Sequence, residues 1–175
     1  MNIVLIGYRC SGKTAVGKLL ADELGKDFID TDELIEENTG CSIEAVVSSK
    51  GWNHFRQIEK KMIETVSRKN NQVIATGGGV VMAADNVKSL KRNAWIVWLN
   101  GKPEILSQRM AKDQRFGKVR PPLTDIDPLN EITQVLDVRL PYYEKASDFK
   151  VDTSTLSIKE TADLIIRNLP KENLR

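Results

Sequence analysis

Residues 7–14, GYRCSGKT, match the pattern G-x-x-x-x-G-K-[ST] of a phosphate-binding loop. Gly7 and Gly12 permit backbone conformations that residues with a Cβ disfavour, so successive N–H groups can converge on phosphate oxygens at the start of a helix. Lys13 would then be a mobile positive charge for the β- and γ-phosphates, and the Thr14 hydroxyl would bind Mg²⁺. The loop therefore predicts a protein that binds a magnesium–nucleotide complex.

The segments on either side of this loop have the patterns that such a loop requires. Residues 3–6 (IVLI) form an apolar run typical of a central parallel strand that is covered on both faces. After the loop, Val16, Leu19, Leu20 and Leu24 lie on one stripe of a helix. An eight-residue match can arise by chance, but a strand before it and a helix after it favour the phosphate-binding interpretation.

Two aspartates follow a second apolar segment, Phe28-Ile29. Asp30 and Asp32 would stand at the carboxyl end of a parallel strand, which is the edge where open α/β sheets bind ligands. Because one residue separates them, we expect both side chains to point the same way on an extended strand. The alternative is that Asp32 caps the next helix, a partial role that is compatible with function.

A helical insertion is predicted before the third strand, with breaks at Thr39-Gly40 and Lys50-Gly51. Its three helical pieces are residues 33–38, 42–48 and 52–68. On the last piece, Arg56 and Glu59 are three residues apart and can pair. Such a pair usually lies on the surface, and the functional alternative is an arginine that a glutamate orients toward a carboxylate ligand.

The third strand, residues 72–75, leads directly into Thr76 and three consecutive glycines, 77–79. Three glycines weaken any regular structure. Close approach of the backbone to a ligand explains them better than a tight turn alone.

Residues 112–130 show neither helical nor strand periodicity, and they contain Arg115, Lys118 and Arg120 together with one glycine and three prolines. A long irregular segment in a compact domain is usually a lid or is disordered. In a protein with a phosphate-binding loop, we favour an arginine-bearing lid that closes over the nucleotide.

Two further strands, residues 94–99 and 149–151, alternate with helices and bring the predicted total to five. This pattern predicts an α/β fold, a three-layer α/β/α arrangement around a five-stranded parallel sheet. We expect one domain over residues 1–175. Its parts are a nucleotide core (about 1–30 and 70–111), an acceptor-binding insertion (about 31–69), a lid (about 112–128) and a C-terminal helix-strand-helix unit (about 129–175).

Composition excludes several classes of protein. The 175 residues carry 26 Lys plus Arg against 24 Asp plus Glu, so the net charge of +2 gives no reason to expect nucleic acid or a membrane surface as partner. Two cysteines, Cys10 and Cys41, cannot build a disulfide framework or a zinc site. No run approaches the roughly 20 apolar residues of a membrane helix. We expect a soluble, cytoplasmic protein that is a monomer.

Six motifs, in order along most of the chain, together resemble the shikimate kinase family of small-molecule kinases, which share the phosphate-loop fold of nucleoside monophosphate kinases. They are GxxxxGKT at 7–14, DTD at 30–32, FRxxE at 55–59, TGGG at 76–79, RPPL at 120–123 and RxPYY at 139–143. The resemblance implies transfer of the γ-phosphoryl group of ATP to the 3-hydroxyl of shikimate, with Mg²⁺ as cofactor, in the pathway to chorismate and the aromatic amino acids.

By the same resemblance, the site residues fall into four groups. The implied catalytic residues are Lys13, Asp32 and Arg120. Contacts to ATP are implied for Cys10, Ser11, Gly12, Lys13, Thr14, Ala15, Arg109, which would lie against the adenine, and Arg120, the lid arginine. Shikimate would be bound by Asp32, Arg56, Gly78, Gly79 and Arg139, the two arginines holding its carboxylate. The magnesium shell would involve Thr14 and Asp30.

The chain departs from the family pattern at three positions. Cys10 stands where a glycine is usual, Trp52 replaces a common glutamate, and Val47 occupies a place where an aromatic residue commonly lines the shikimate pocket. Phe55 keeps the other aromatic residue. The alternatives are another kinase of the same fold, such as a gluconate-kinase-like or nucleoside-monophosphate-kinase-like protein, and a non-catalytic domain that senses shikimate.

Overall fold

The computed structural model describes residues 1–113 and 128–170, and this part of the chain contains one parallel sheet of five strands. Its strands are β1 (Asn2–Ile6), β2 (Asp27–Asp30), β3 (Gln72–Ala75), β4 (Ala94–Asn100) and β5 (Phe149–Asp152), in the spatial order β2-β3-β1-β4-β5. In the centre of the sheet, Val4 lies opposite both Ile74 and Ile96. The predicted five-stranded parallel sheet is confirmed.

Helices cover both faces of the sheet. They are α1 (Lys13–Leu24), α2 (Thr31–Thr39), α3 (Ile43–Val66), α4 (Ala84–Lys91), α5 (Pro103–Lys112), α6 (Pro128–Ala146) and α7 (Ile158–Arg167), with a 3₁₀ turn at Val80–Met82. Because side chains alternate along a strand, Ile3 and Leu5 face the core under α1 and α7, whereas Val4 and Ile6 face the core under α3 to α6. The expected three-layer architecture is therefore present.

The insertion between β2 and β3 consists of α2 and α3, which enclose a small apolar core of their own. Its members are Ile35, Ile43, Val46, Val47 and Phe55. Gly51 has non-helical dihedral angles and breaks α3 into the two pieces that the sequence predicts. This arrangement fixes the second half of α3 beside the carboxyl ends of β2 and β3.

The predicted lid over about 112–128 lies almost entirely outside the described residues, and Arg115, Lys118 and Arg120 lie outside them as well. Within residues 1–113 and 128–170, every helix is too short or too polar to span a bilayer.

Candidate active site

The loop after β1 is curled around the side chain of Lys13. Gly7 and Gly12 have φ values of 145° and 99°, and a Cβ on Gly7 would lie 2.3 Å from the carbonyl oxygen of Leu99. The Lys13 ammonium donates hydrogen bonds to the carbonyl oxygens of Gly7 (2.9 Å) and Tyr8 (2.8 Å). The loop thus requires glycine for its backbone, and it holds a positive charge at the start of α1.

Cys10 is the one position of this loop that departs from the family pattern, and its backbone conformation is one that glycine adopts more readily. Its φ of 57° is in the left-handed region, which costs a residue with a Cβ roughly 1–2 kcal/mol. The Sγ atom lies 3.9 Å from a carboxylate oxygen of Asp113, just after α5.

Asp30, and not Asp32, caps α2. One carboxylate oxygen of Asp30 accepts hydrogen bonds from the amides of Asp32 (3.0 Å) and Glu33 (3.5 Å). Asp32 lies in the first turn of the helix, so the prediction of an extended strand through both aspartates is wrong. The alternative in which Asp32 caps the helix is also wrong. A helix cap at Asp30 is locally more favourable than a longer strand, because it satisfies otherwise unpaired amides.

The other carboxylate oxygen of Asp30 accepts a hydrogen bond from the Thr14 hydroxyl at 2.9 Å. This contact brings a hydroxyl and a carboxylate together beside the phosphate-binding loop. Among the described residues no group of three or more His, Cys, Asp or Glu side chains could enclose a metal ion. Mg²⁺ needs no such cage, since it is usually bound by one or two protein oxygens together with phosphate and water oxygens. The Thr14–Asp30 pair fits that requirement.

A cavity of about 270 Å³, here called the larger cavity, lies over the loop. Its described lining residues are Arg9, Cys10, Gly12, Lys13, Thr14, Ala15, Asp30, Asp32, Thr76, Gly78, Arg109 and Asp113. Of the residues implied to bind ATP, Ser11 is a buried residue of the loop and is not part of this lining, and Arg120 lies outside the described part of the chain. Arg109 donates to the Thr153 hydroxyl (3.1 Å), to the Thr153 carbonyl oxygen and to the Cys10 carbonyl oxygen (3.5 Å). It therefore ties α5 to the loop and to the end of β5.

A second, smaller cavity of about 50 Å³ adjoins it between α3, α6 and the glycine segment. Its lining residues are Arg9, Asp32, Ile43, Trp52, Phe55, Arg56, Glu59, Gly77, Gly78, Gly79 and Arg139. Arg56 Nη1 donates to both carboxylate oxygens of Glu59, at 2.7 and 2.6 Å. Glu59 is only 1% exposed, so this is not an ordinary surface pair. Burial raises the pKa of the Glu59 carboxyl, and the Arg56 guanidinium opposes that shift.

Two of the three glycines leave room for the charged side chains of the smaller cavity. A Cβ on Gly77 would lie 2.9 Å from a carboxylate oxygen of Asp32, and one on Gly79 would lie 2.3 Å from Nη2 of Arg56. The close approach in the structure is to protein side chains, and the predicted approach of the backbone to a ligand stays a prediction. Gly77 and Gly79 permit Asp32 and Arg56 to reach the cavity.

Arg139 enters the same cavity from α6. Its Nη1 donates to the carbonyl oxygen of Gly78 at 3.1 Å. Among residues 1–113 and 128–170, no carboxylate lies within ion-pair distance of Arg139, whereas Arg56 is paired with Glu59. Two guanidinium groups in one small cavity, of which one lacks a described carboxylate partner, favour an anionic ligand such as a carboxylate.

Three residues line both cavities: Arg9, Asp32 and Gly78. They mark the junction at which a group bound over the loop meets a group bound between the two arginines. A carboxylate, a guanidinium and a backbone segment at this junction suit the transfer of a phosphoryl group to a hydroxyl acceptor.

The motifs assign no role to Arg9 or Tyr143, and Trp52 is notable in the sequence only as a departure from the family pattern. Arg9 occupies a variable position of the loop motif, so the motif itself does not single it out. An arginine in a phosphate-binding loop nevertheless indicates a positive charge near the phosphates.

Trp52 lines the smaller cavity, where its ring packs edge-on against Phe55 at 5.8 Å and lies 5.5 Å from the Arg56 guanidinium. Val47 instead packs into the core of the insertion.

Tyr143 anchors the glycine segment, residues 77–79, through a hydrogen bond to Gly78. It is fully buried, stacks on Trp98 at 5.5 Å and donates its hydroxyl to the Gly78 carbonyl oxygen at 2.5 Å. Burial raises the pKa of the Tyr143 hydroxyl to about 12. The group therefore keeps its proton, and remains a donor, throughout the neutral range.

Tyr143→Phe is expected to lower the free energy of unfolding by about 1–2 kcal/mol, because a buried carbonyl loses a donor. Urea denaturation measures this loss, and Tyr142→Phe, a neighbouring exposed tyrosine, is the control. The difference should stay constant below pH 10. It should shrink between about pH 10 and 12, because the unfolded state then ionises while the folded state does not. Equal stability of the two variants would contradict the role given to Tyr143.

Comparison with known proteins identifies close relatives. The family model described as shikimate kinase matches residues 9–170. The shikimate kinase of Thermodesulfovibrio yellowstonii is 44% identical over 166 residues, which cover 95% of this chain and 93% of that protein. The shikimate kinase of Symbiobacterium thermophilum is 37% identical over 175 residues, covering 100% and 99%. A solved structure of shikimate kinase from Acinetobacter baumannii in complex with shikimate is 31% identical, with a TM-score of 0.88, and covers 95% of this chain and 90% of that chain.

Proposed function

This chain belongs to the shikimate kinase family, and we propose that it transfers the γ-phosphoryl group of ATP to the 3-hydroxyl of shikimate. The products are ADP and shikimate 3-phosphate, on the route to chorismate and the aromatic amino acids. One observation carries the proposal: a cavity lined by a phosphate-binding loop meets a cavity lined by two arginines, with Asp32 at their junction.

The smaller cavity supports shikimate as the acceptor. Shikimate is a cyclic carboxylate with hydroxyl groups, so it needs cations at one end and hydrogen-bond acceptors at the other. Arg56 and Arg139 supply the cations, and Asp32 supplies a carboxylate toward the junction. Gly78 and Gly79 would bring backbone groups close to the ring, and Glu59 would hold Arg56 in place.

The larger cavity supports ATP as the donor. The amides of the loop and the Lys13 ammonium would bind the β- and γ-phosphates, while Thr14 and Asp30 would hold Mg²⁺ or its water shell. When bound, the metal ion would neutralise negative charge on the phosphate oxygens. Arg109 also lines this cavity, and the adenine is proposed to pack against it.

In the transfer step, the acceptor hydroxyl oxygen bonds to the γ-phosphorus while the bond from that phosphorus to the bridging oxygen of ADP breaks. Asp32 accepts the hydrogen bond of the attacking hydroxyl and then its proton. Lys13, and Arg120 from the proposed lid, stabilise the charge that spreads over the equatorial oxygens.

We propose that the nucleotide core, acceptor-binding insertion, lid and C-terminal unit act as one domain of a cytoplasmic, monomeric enzyme that binds no nucleic acid. The near-neutral net charge of +2 supports the last point. Because ATP and shikimate are small and freely diffusing, the reaction requires no membrane or protein partner.

A coupled assay of ADP release with ATP, Mg²⁺ and alternative acceptors tests the proposal. Shikimate should support turnover, whereas gluconate and AMP should not support comparable rates. Mass spectrometry of the product should show phosphate on the 3-hydroxyl. Turnover with gluconate and none with shikimate would make the chain a different kinase of this fold, and shikimate binding without turnover would make it a sensing domain.

Arg139→Ala is expected to raise KM for shikimate by roughly 10- to 100-fold with a smaller effect on kcat, since one charge-assisted contact of about 1.5–3 kcal/mol is lost in both ground and transition states. Steady-state kinetics measure both constants. Lys145→Ala, on the exposed side of α6, is the matched control and should leave KM unchanged. An unchanged KM in Arg139→Ala would remove Arg139 from the acceptor site.

A further inference from the structure

Arg9 forms a buried ion pair that joins the phosphate-binding loop to α6. Its Nη2 lies 2.6 Å from a carboxylate oxygen of Glu131, and the two side chains are only 10% and 6% exposed. The same nitrogen lies 3.2 Å from the Tyr8 hydroxyl. The pair links residues 122 positions apart in the sequence, so it fixes the loop relative to a distant helix.

Stability alone is a weak explanation for this pair. Removing two charges from water is costly, and replacing a buried ion pair with apolar residues is often neutral or stabilising. The position of Arg9 offers another explanation, because it lines the junction of the two cavities together with Asp32 and Gly78. A cation held at that point faces the path of the transferred group.

We propose that Arg9 is a further catalytic residue, which donates hydrogen bonds to the phosphoryl group as it passes from ATP to the acceptor, and that Glu131 is its positioning residue. This inference rests on the proposed function. A guanidinium carries N–H donors on three nitrogens, so Arg9 can bind Glu131 and a phosphoryl oxygen at once. Arg9 gives up no proton, and its part is to stabilise the negative charge of the transition state.

The contacts of α6 support this role for Glu131. In its first turn α6 holds the loop through Glu131 and Arg9, and further along it holds the Gly78 carbonyl oxygen through Arg139 and Tyr143. One rigid helix therefore sets the distance between the loop and the glycine segment. Such fixed placement is what a charge must have to favour the transition state over the ground state.

Steady-state kinetics of four variants test the proposal. Arg9→Gln should lower kcat by roughly 10²-fold, as expected for the loss of one donor to the transition state, with KM for shikimate within about threefold of wild type. Glu131→Gln keeps the guanidinium but loosens it, so its kcat should fall less. Arg9→Lys should recover part of the loss. Lys60→Gln, from the exposed Lys60–Asp85 pair, is the matched control for loss of an ion pair.

Thermal unfolding of each variant separates catalysis from folding. Arg9→Gln removes the cation beside a buried carboxylate and could fail to fold, so the double variant Arg9→Met with Glu131→Leu removes both charges. It should be about as stable as wild type and still show the loss in kcat. A double variant with wild-type kcat would overturn the proposal.

Two other results would also overturn the proposal. One is a loss of kcat that is equal in Arg9→Gln and Glu131→Gln and parallels their loss of thermal stability. The other is an effect of Arg9→Gln on KM for shikimate alone, with kcat unchanged. A wild-type protein that does not phosphorylate shikimate would instead contradict the proposed function itself, before any variant is compared.

Discussion

Lys13→Ala is expected to lower kcat by roughly 10³-fold, the scale of losing a cation that stabilises a transferring phosphoryl group. The ammonium lies at the start of α1, where it donates to the carbonyl oxygens of Gly7 and Tyr8. Both bonds are internal to the loop. Bound phosphates would compete for the same donors, so the charge is already in place when ATP arrives.

The matched control is Lys18→Ala, which removes an exposed lysine from the same helix and should leave kcat unchanged. Because Lys13 also organises the loop, thermal unfolding and nucleotide affinity should be measured for both variants. If Lys13→Ala retains kcat within about tenfold of wild type, Lys13 does not stabilise the transition state, and its only role is to shape the loop.

The sheet could be predicted from the sequence because its signals are local. The apolar runs at residues 3–6 and 94–99 each fall within one residue of the observed strands Asn2–Ile6 and Ala94–Asn100. The predicted breaks of the insertion are confirmed as well, since Gly40 and Gly51 have φ values of 66° and 79°. In such segments local propensity and the fold agree.

The orientation of Asp32 could not be predicted, because two local structures compete at residues 30–32. Asp30 is both the last residue of β2 and the cap of α2. The alternation typical of a strand therefore ends at Asp30 and does not extend to Asp32. The sequence still placed Asp32 at the correct edge of the sheet. What it missed was that a helical turn, not a strand, presents the carboxylate to both cavities.

Contacts between distant residues were beyond sequence reasoning for a different reason. Arg9 meets Glu131 across 122 positions, and Tyr143 meets Gly78 across 65. No local pattern encodes such pairs, since they exist only once α6 has packed beside the glycine segment. The arginines of the predicted lid lie outside the described residues, so the role of Arg120 stays a prediction.

Positive and negative side chains have different roles in the proposed site. In the smaller cavity, Arg56, which is paired with Glu59, and Arg139 supply the positive charge that would bind an anionic acceptor. Asp32 is the carboxylate that lines both cavities. A cation-rich pocket attracts a carboxylate, but it does not activate a hydroxyl. That task requires an acceptor for the hydroxyl hydrogen, and Asp32 is placed for it between the two cavities.

Asp32→Asn is therefore expected to lower kcat by about 10²- to 10⁴-fold, the range for losing a positioned general base. Asparagine keeps the size of the side chain and its place beside Gly77, so the change tests charge and proton affinity, not packing. The matched control is Glu33→Gln, an exposed carboxylate one residue further along the same helical turn. It should retain wild-type kcat.

The size of the loss in kcat separates the two ways in which Asp32 can act. If it accepts the proton in the transition state, Asp32→Asn should show the full loss, because a side-chain amide cannot take up that proton. A variant that loses less than about tenfold in kcat would mean that Asp32 only orients the hydroxyl. In that case the positive charges of Lys13 and Arg9 would account for most of the rate enhancement, since a loose phosphoryl-transfer transition state needs little help from a base.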